Sequence, residues 1–241
     1  MVSLLPQLGT GLLVWLALIS SSCSSSLPQI PPGEDPLRWL QAIQAFEASD
    51  RLDPAPQDAA LFVGSSSIRR WDTLTRDMAP MPVIQRGFGG SRLFDSVYFA
   101  DRLVVAYDPA VIVIFSGTND ISGDHPKSAK EVCALFQRFV GRVRAENCGA
   151  PIVYIAISPT RARLEHIKIV LEANRLIAAS CEPDTDLYFV DTARILLDPA
   201  GLPDRRWFVE DGLHLNSDGY ALWTMRVRPL LAKLLQAPAS R

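Results

Sequence analysis

"LFVGSSSIRRW", residues 61–71, joins an apolar run to a helix-like segment through one glycine and three serines. An unbroken apolar run that stops at glycine reads as a buried strand, and hydroxyl residues just beyond it mark a helix start. Four more β-branched runs stand at wide spacing: "PVIQRGF" (82–88), "AVIVIFSG" (110–117), "PIVYIAIS" (151–158) and "LYFVD" (187–191). Those at 110–117 and 151–158 are nearly continuous in Val and Ile, which suits strands covered on both faces, as in a parallel sheet. Helical patterns lie between the runs. In "SAKEVCALFQRFVGRVRAE" (128–146), apolar residues recur at 132, 135, 136, 139, 140 and 143, a stripe at helical spacing. Residues 165–180 and 218–235 read similarly, and Pro229 is expected to kink or end the first half of the last segment. Alternation of strands and helices predicts an α/β fold: a three-layer α/β/α sandwich around a five-stranded parallel sheet. With no repeat and no second composition regime, residues 31–241 read as one domain.

The 241 residues carry a formal net charge of −2 and no Lys/Arg block. Nucleic-acid binding needs a concentrated basic face, so it is excluded as a reading. About half the residues are apolar, enough for a sizeable core. Residues 1–30 read as a signal peptide and tether rather than fold. "LGTGLLVWLALI" (8–19) is too short for a bilayer span, and serine- and proline-rich sequence follows it. The segment before it has no Lys or Arg. Cys23, directly after the apolar run, is a candidate lipidation site, although "SSSC" lacks the usual leucine three residues ahead. The expectation is an exported protein, periplasmic or anchored as a lipoprotein through Cys23 if bacterial. Cys148 and Cys181 each end a helical segment before a strand, so they are candidates to pair. With Cys133 the count is odd, and buried free thiols are the simpler reading.

In a parallel α/β sheet the ligand crevice lies at the carboxyl ends of the strands, here just after residues 64, 88, 117, 158 and 191. Ser65, Ser66 and Ser67 follow the first end. "GFGGS" (87–91) follows the second, and "GTND" (117–120) the third. "DGLHLN" (211–216), with Asp211 and His214 three apart, precedes the last helix. Hydroxyl, exposed backbone N–H groups, side-chain amide, and imidazole with carboxylate are the parts for acyl transfer through a serine ester. Each alone has a plainer reading as a cap, a turn or a structural histidine. Their joint placement at strand ends carries the functional reading.

These four blocks, "FVGSSSIRRW", "RGFGGS", "GTND" and "DGLHLN", resemble in order the blocks of the SGNH (GDSL-type) hydrolases, across residues 61–216. The resemblance implies the flavodoxin-like three-layer fold and a serine esterase. It implies Ser66 as nucleophile, as the third residue of Gly-x-Ser, His214 as base and Asp211 as its orienting acid. The oxyanion hole would comprise the N–H of Ser66, the N–H of Gly90 and the side chain of Asn119. Ser65 stands where many relatives have Asp, and Ser67 is a candidate cap. Neither cofactor nor metal is implied. An α/β-hydrolase elbow would need Gly at 68, where Ile68 stands. A metallohydrolase is disfavoured by only three histidines, His125, His166 and His214, without ligand spacing. The non-enzymatic alternative is a catalytically silent surface protein that holds glycan or lipid in the same crevice.

The expected partner is a small-molecule ester: acylated carbohydrate, lysophospholipid or a simple carboxylester. No long apolar insertion suggests a lid, which favours short acyl groups. Arg161, Arg163 and His166, in the loop after the fourth strand, and "GDHPK" (123–127) are candidate rim residues. Facing water is their plainer reading.

Overall fold

The computed structural model describes residues 27–123, 125–182 and 185–236; the apolar run at 8–19 and Cys23 lie outside them. A 3-10 turn, Pro36–Trp39, leads into helix α1 (Leu40–Leu52). Then come β1 (Ala60–Gly64), α2 (Ser66–Arg69), α3 (Leu74–Met78), β2 (Val83–Gly87), α4 (Leu93–Tyr98) and α5 (Ala100–Leu103). The second half runs β3 (Val111–Phe115), α6 (Ala129–Ala145), β4 (Ile152–Ile155), α7 (Ile167–Ser180), β5 (Leu187–Val190) and α8 (Ser217–Gln236). The five strands form one parallel sheet in the order β2-β1-β3-β4-β5. All five expected strands are present: β1 starts at Ala60, one residue ahead of "LFVG", and the other four lie inside the runs that announced them.

The period of two along each strand sorts the core into two layers. Leu61, Val63, Ile112, Ile114, Ile152 and Tyr154 face one way, toward the apolar sides of α1, α4, α5, α6 and α7. Phe62, Val113, Phe115, Val153 and Ile155 face the other, toward α2, α3 and α8. Every residue of β1, β3 and β4 is buried, which is why those runs carry no polar alternation. Each such aliphatic or aromatic side chain contributes roughly 1.5–3 kcal/mol by leaving water. α6 begins with a capping box: the Ser128 N–H donates to Glu131 Oε2 at 2.8 Å, and the Glu131 N–H returns to Ser128 Oγ at 3.4 Å.

The structure decides between local alternatives at Pro229 and at the cysteines. Pro229 does not end its helix; α8 continues through it to Gln236. The carbonyl that proline leaves without a partner belongs to Met225, four residues back, and Met225 is exposed, so water can satisfy it. Cys148 and Cys181 do not pair. Both are free thiols, as is Cys133. Burial, with Cys133 nearby, pushes the Cys181 thiol up to about 12, and burial raises Cys133 as well. No described helix is long and apolar enough to cross a membrane.

Candidate active site

The strand order reverses direction at β1, between β2 and β3, and the carboxyl ends of β1 and β3 meet there: Gly64 pairs with both Gly87 and Phe115. A doubly wound sheet opens its crevice at such a switch point. Gly64 makes the exit possible. Its φ is +152°, and a Cβ there would stand 2.0 Å from the Phe115 carbonyl oxygen. Only a residue without a side chain lets the chain turn so close to β3.

Immediately after that turn, Ser65 donates its N–H to Phe115 O at 3.2 Å and becomes the N-cap of α2. The Ser65 side chain makes no cap bond. Ser67 is no cap either, because it lies inside the helix; its carbonyl accepts the Tyr220 hydroxyl at 2.8 Å. α2 is a single turn, so local N–H groups rather than a long helix dipole act on Ser66. Fully buried Ile68 and Trp71 pin the turn from below. Gln85 Nε2 closes its far end by donating to Ile68 O at 2.6 Å and Trp71 O at 3.1 Å. The sequence after residue 64 thus presents Ser66 on a turn that is held on every side except the crevice.

His214 arrives from the loop before α8. Its Nε2 lies 2.8 Å from Ser66 Oγ and its Nδ1 lies 2.7 Å from Asp211 Oδ2. Asp211 Oδ1 accepts the N–H groups of Leu213 at 2.8 Å and His214 at 2.9 Å. Burial pushes the Asp211 carboxyl up, but the His214 imidazole and the two backbone N–H groups outweigh it and hold it down at about 2. At neutral pH Asp211 is therefore ionised and can only accept. That places the imidazole proton on Nδ1 and leaves Nε2 as an acceptor facing the Ser66 hydroxyl.

Asn119 comes from the end of β3. Its Nδ2 donates to Ser91 O at 2.9 Å, and its Oδ1 accepts from Arg163 Nη2 at 3.0 Å. Ser91 Oγ reaches back to Gly64 O at 3.4 Å, and the Phe88 N–H donates to the same carbonyl at 3.0 Å. The glycine loop and the "GTND" turn are thereby tied to the end of β1. Gly90 sits in that loop at φ +81° with Trp39 packed over it. Among the described residues, neither the Ser66 nor the Gly90 N–H has a hydrogen-bond partner.

Ser66, Asn119 and His214 line one recess of about 10 Å³, together with Thr118, Ser158, Thr160 and Arg163. That is room for about one water-sized group. Gly90 does not line it; its loop reaches the site through the Ser91 carbonyl. A larger groove of about 500 Å³ between the α3–β2 turn and the end of α8 touches none of these residues.

The expected rim residues behave differently from one another. His166 pairs with its neighbour Glu165, 3.5 Å away. Arg161 lies with its Cβ near Gly212 and its Nε buried without a partner. Arg163 turns inward onto the "GTND" turn rather than toward solvent. Two buried carboxylates were not singled out from the sequence. Asp120 accepts the Leu93 N–H at 3.0 and 3.2 Å, and burial raises it to about 7. Asp95 accepts from Trp39 Nε1 at 3.0 Å and the Arg92 N–H at 2.7 Å, and burial raises it to about 6. Neither faces the recess. Asp120 ties the "GTND" turn to the start of α4, and Asp95 ties the start of α4 to Trp39.

The comparisons with known proteins agree with this fold. The model of the GDSL-like Lipase/Acylhydrolase family matches residues 56–222. Among solved structures, a protein named as an acylhydrolase from Bacteroides fragilis superimposes with TM-score 0.69 at 20% identity, covering 80% of this chain and 97% of its own. A GDSL-like lipase from Bacteroides thetaiotaomicron gives TM-score 0.67 at 16% identity, covering 79% and 97%. An acetylxylan esterase from Geobacillus stearothermophilus, as a catalytic mutant, gives 0.54 at 16%, covering 78% and 99%. No curated protein matches the sequence significantly. The chain belongs to the GDSL-like lipase/acylhydrolase family, whose members hydrolyse esters.

Proposed function

We propose that this member of the GDSL-like lipase/acylhydrolase family is a serine esterase for short acyl groups, with Ser66, His214 and Asp211 as its triad. The observation that carries the reading is the unbroken chain from Ser66 Oγ to His214 Nε2 at 2.8 Å and from His214 Nδ1 to Asp211 at 2.7 Å. Distances in this range allow a proton to pass as the nucleophile attacks.

The steps follow from the groups present. Ser66 Oγ attacks the ester carbonyl carbon while its proton passes to His214 Nε2. The imidazolium is stabilised by Asp211, which stays ionised throughout. The carbonyl oxygen becomes an oxyanion held by the N–H of Ser66, the N–H of Gly90 and the second N–H of Asn119 Nδ2. The C–O bond to the leaving alcohol then breaks, and His214 returns the proton to that alcohol. Water, deprotonated by the same imidazole, attacks the acyl-enzyme and releases the acid.

Short acyl chains are supported by the small recess beside Ser66, whose lining includes the hydroxyl residues Thr118, Ser158 and Thr160. A methyl group enters such a space more readily than an alkyl chain. The fold neighbour that acts on acetylated xylan puts acetylated glycans on the substrate panel beside simple esters. Export and lipid anchoring at Cys23 rest on the N-terminal sequence; fractionation with radiolabelled palmitate would test them. For the catalytic reading, an acyl-length series of p-nitrophenyl esters is the experiment. Acetate is expected to exceed octanoate in kcat/KM, and Ser66→Ala is expected to abolish both. Full activity in Ser66→Ala would refute the triad, and a preference for octanoate would refute the acyl assignment.

A further inference from the structure

The Asn119 carboxamide has four hydrogen-bonding positions, two N–H donors and two lone pairs on Oδ1, and two visible partners. One Nδ2 hydrogen goes to the Ser91 carbonyl at 2.9 Å, and Oδ1 receives Arg163 Nη2 at 3.0 Å. The second Nδ2 hydrogen is left for the crevice. A carboxamide is nearly symmetric in shape, so its orientation is set by its neighbours. Turned over, it would press Oδ1 against the Ser91 carbonyl and its NH2 against a guanidinium. Both contacts would be repulsive, and both partners are needed to exclude that orientation fully.

Arg163 is an unusual residue to find in this role. Its other amino group donates to Thr118 O at 2.6 Å, so both ends of the guanidinium fork grip the turn that carries Asn119. The 3-10 segment that contains it, Arg161–His166, breaks at Arg163 itself (φ −134°, ψ 38°). Among the described residues, no carboxylate lies within ion-pair distance of the guanidinium. Arg163 is half-buried, and the Glu165 carboxylate favours its charge from beyond ion-pair distance, so the cost of drawing the guanidinium out of water is only partly offset. Arg163 borders the same recess as Ser66 and Asn119, where an oxyanion would form.

We infer that Arg163 is a positioning residue: it fixes and polarises the Asn119 carboxamide so that the free Nδ2–H points at the oxyanion. The inference rests on the reading of Asn119 as an oxyanion donor. A cation on Oδ1 draws electron density from the amide nitrogen and strengthens that donor, as expected for linked hydrogen bonds in a low-dielectric site. Because the effect travels through one side chain, it exists only while that side chain is present.

That dependence supplies a test that a merely structural arginine would fail. Arg163→Met, Arg163→Lys, Asn119→Ala and the Arg163→Met/Asn119→Ala double variant are assayed on p-nitrophenyl acetate, with thermal melts to establish folding. Asn119→Ala is expected to lower kcat by about 10²–10³-fold. Arg163→Met is expected to lower kcat by about tenfold, the scale of partners that orient a primary group, with KM within about twofold. Arg163→Lys, which keeps the charge but not the fork, is expected to fall between Arg163→Met and wild type. In the Asn119→Ala background, Arg163→Met is expected to change kcat by less than about twofold. Equal losses from Arg163→Met in both backgrounds would show that Arg163 acts independently of Asn119 and overturn the inference. So would an unchanged kcat in a folded Arg163→Met or Arg163→Lys protein. An unaffected Asn119→Ala enzyme would instead remove the donor reading, and the inference with it.

Discussion

The two sides of Ser66 are built by opposite means. On one side, the "GTND" turn and the glycine loop are locked into the interior. Asp120 is fully buried, Asn119 is gripped from both ends, and burial pushes Asp120 up to about 7. On the other side, Asp211 and His214 share a surface loop. The Asp211 side chain is 41% exposed, and its hydrogen bonds hold it down at about 2. In the proposed mechanism, the donors for a developing negative charge must not reorganise, and burial keeps them still. The imidazole must change charge in each cycle, which a carboxylate near water tolerates at lower cost. In this reading, the contrast divides stability from proton transfer.

The largest effect expected from the exposed side is on rate. Asp211→Asn removes the acceptor that keeps the His214 proton on Nδ1, and kcat is expected to fall by about 10³–10⁴-fold. Asparagine keeps an oxygen for the two backbone N–H groups but loses the charge paired with His214, so a stability loss of about 1 kcal/mol is expected beside it. A large loss of stability with little loss of rate would erase the distinction between the two sides.

Gly64→Ala probes the buried side from the opposite direction. The new Cβ would stand 2.0 Å from the Phe115 carbonyl, so β1 and β3 must part. A loss of at least about 3 kcal/mol is expected in urea unfolding, before any assay is run. Unchanged stability would mean that the strand exit tolerates a side chain and that the tight joint is not what aims Ser66.

The two carboxylates should also be separable by pH. Asp120 titrates near 3.9 when unfolded and at about 7 when folded. The folded state therefore holds a proton that the unfolded state has released, and stability falls as pH rises from about 4 to 7. Asp211 has the reverse sign: its contribution is present above about 4 and is lost as pH falls toward about 2. In thermal melts, Asp120→Asn is expected to flatten the decline between pH 4 and 7. Asp95, raised to about 6, keeps part of the slope. A slope left unchanged would show that Asp120 is not a buried acid of this kind. Smallest of all is Tyr220→Phe, which leaves the Ser67 carbonyl without its 2.8 Å partner. About 1 kcal/mol of stability should be lost, with kcat within about threefold.

Much of this contrast was legible before any coordinates, but unevenly. The strands announced themselves because burial on both faces demands unbroken apolar runs, as in Val111–Phe115. The blocks that hold Ser66, Asn119, Asp211 and His214 were readable because each sits at a strand end or a helix start; the choice of Ser66 among three serines, and each residue's role, came from the resemblance to the SGNH hydrolases. The geometry brings Ser66, His214 and Asp211 into hydrogen-bonding reach of one another. Arg163 was not readable as an inward residue. Nothing in "TRAR" tells which arginine turns toward a turn some 45 positions earlier, because long-range side-chain contacts leave no local period. Asp95 and Asp120 were missed for the same reason, since a carboxylate that caps a distant N–H looks like any polar residue. Of the kink or end expected at Pro229, the end does not occur, and the carbonyl left without its partner belongs to exposed Met225.

The central claim is that one hydroxyl of three does the chemistry, and covalent capture tests it most directly. The protein is treated with a fluorophosphonate, digested, and the modified peptide sequenced by mass spectrometry. A single adduct on Ser66 is predicted, retained in Ser65→Ala and Ser67→Ala and absent from Ser66→Ala and His214→Ala. An adduct on Ser65 or Ser67, or an active esterase that takes up no label, would contradict it.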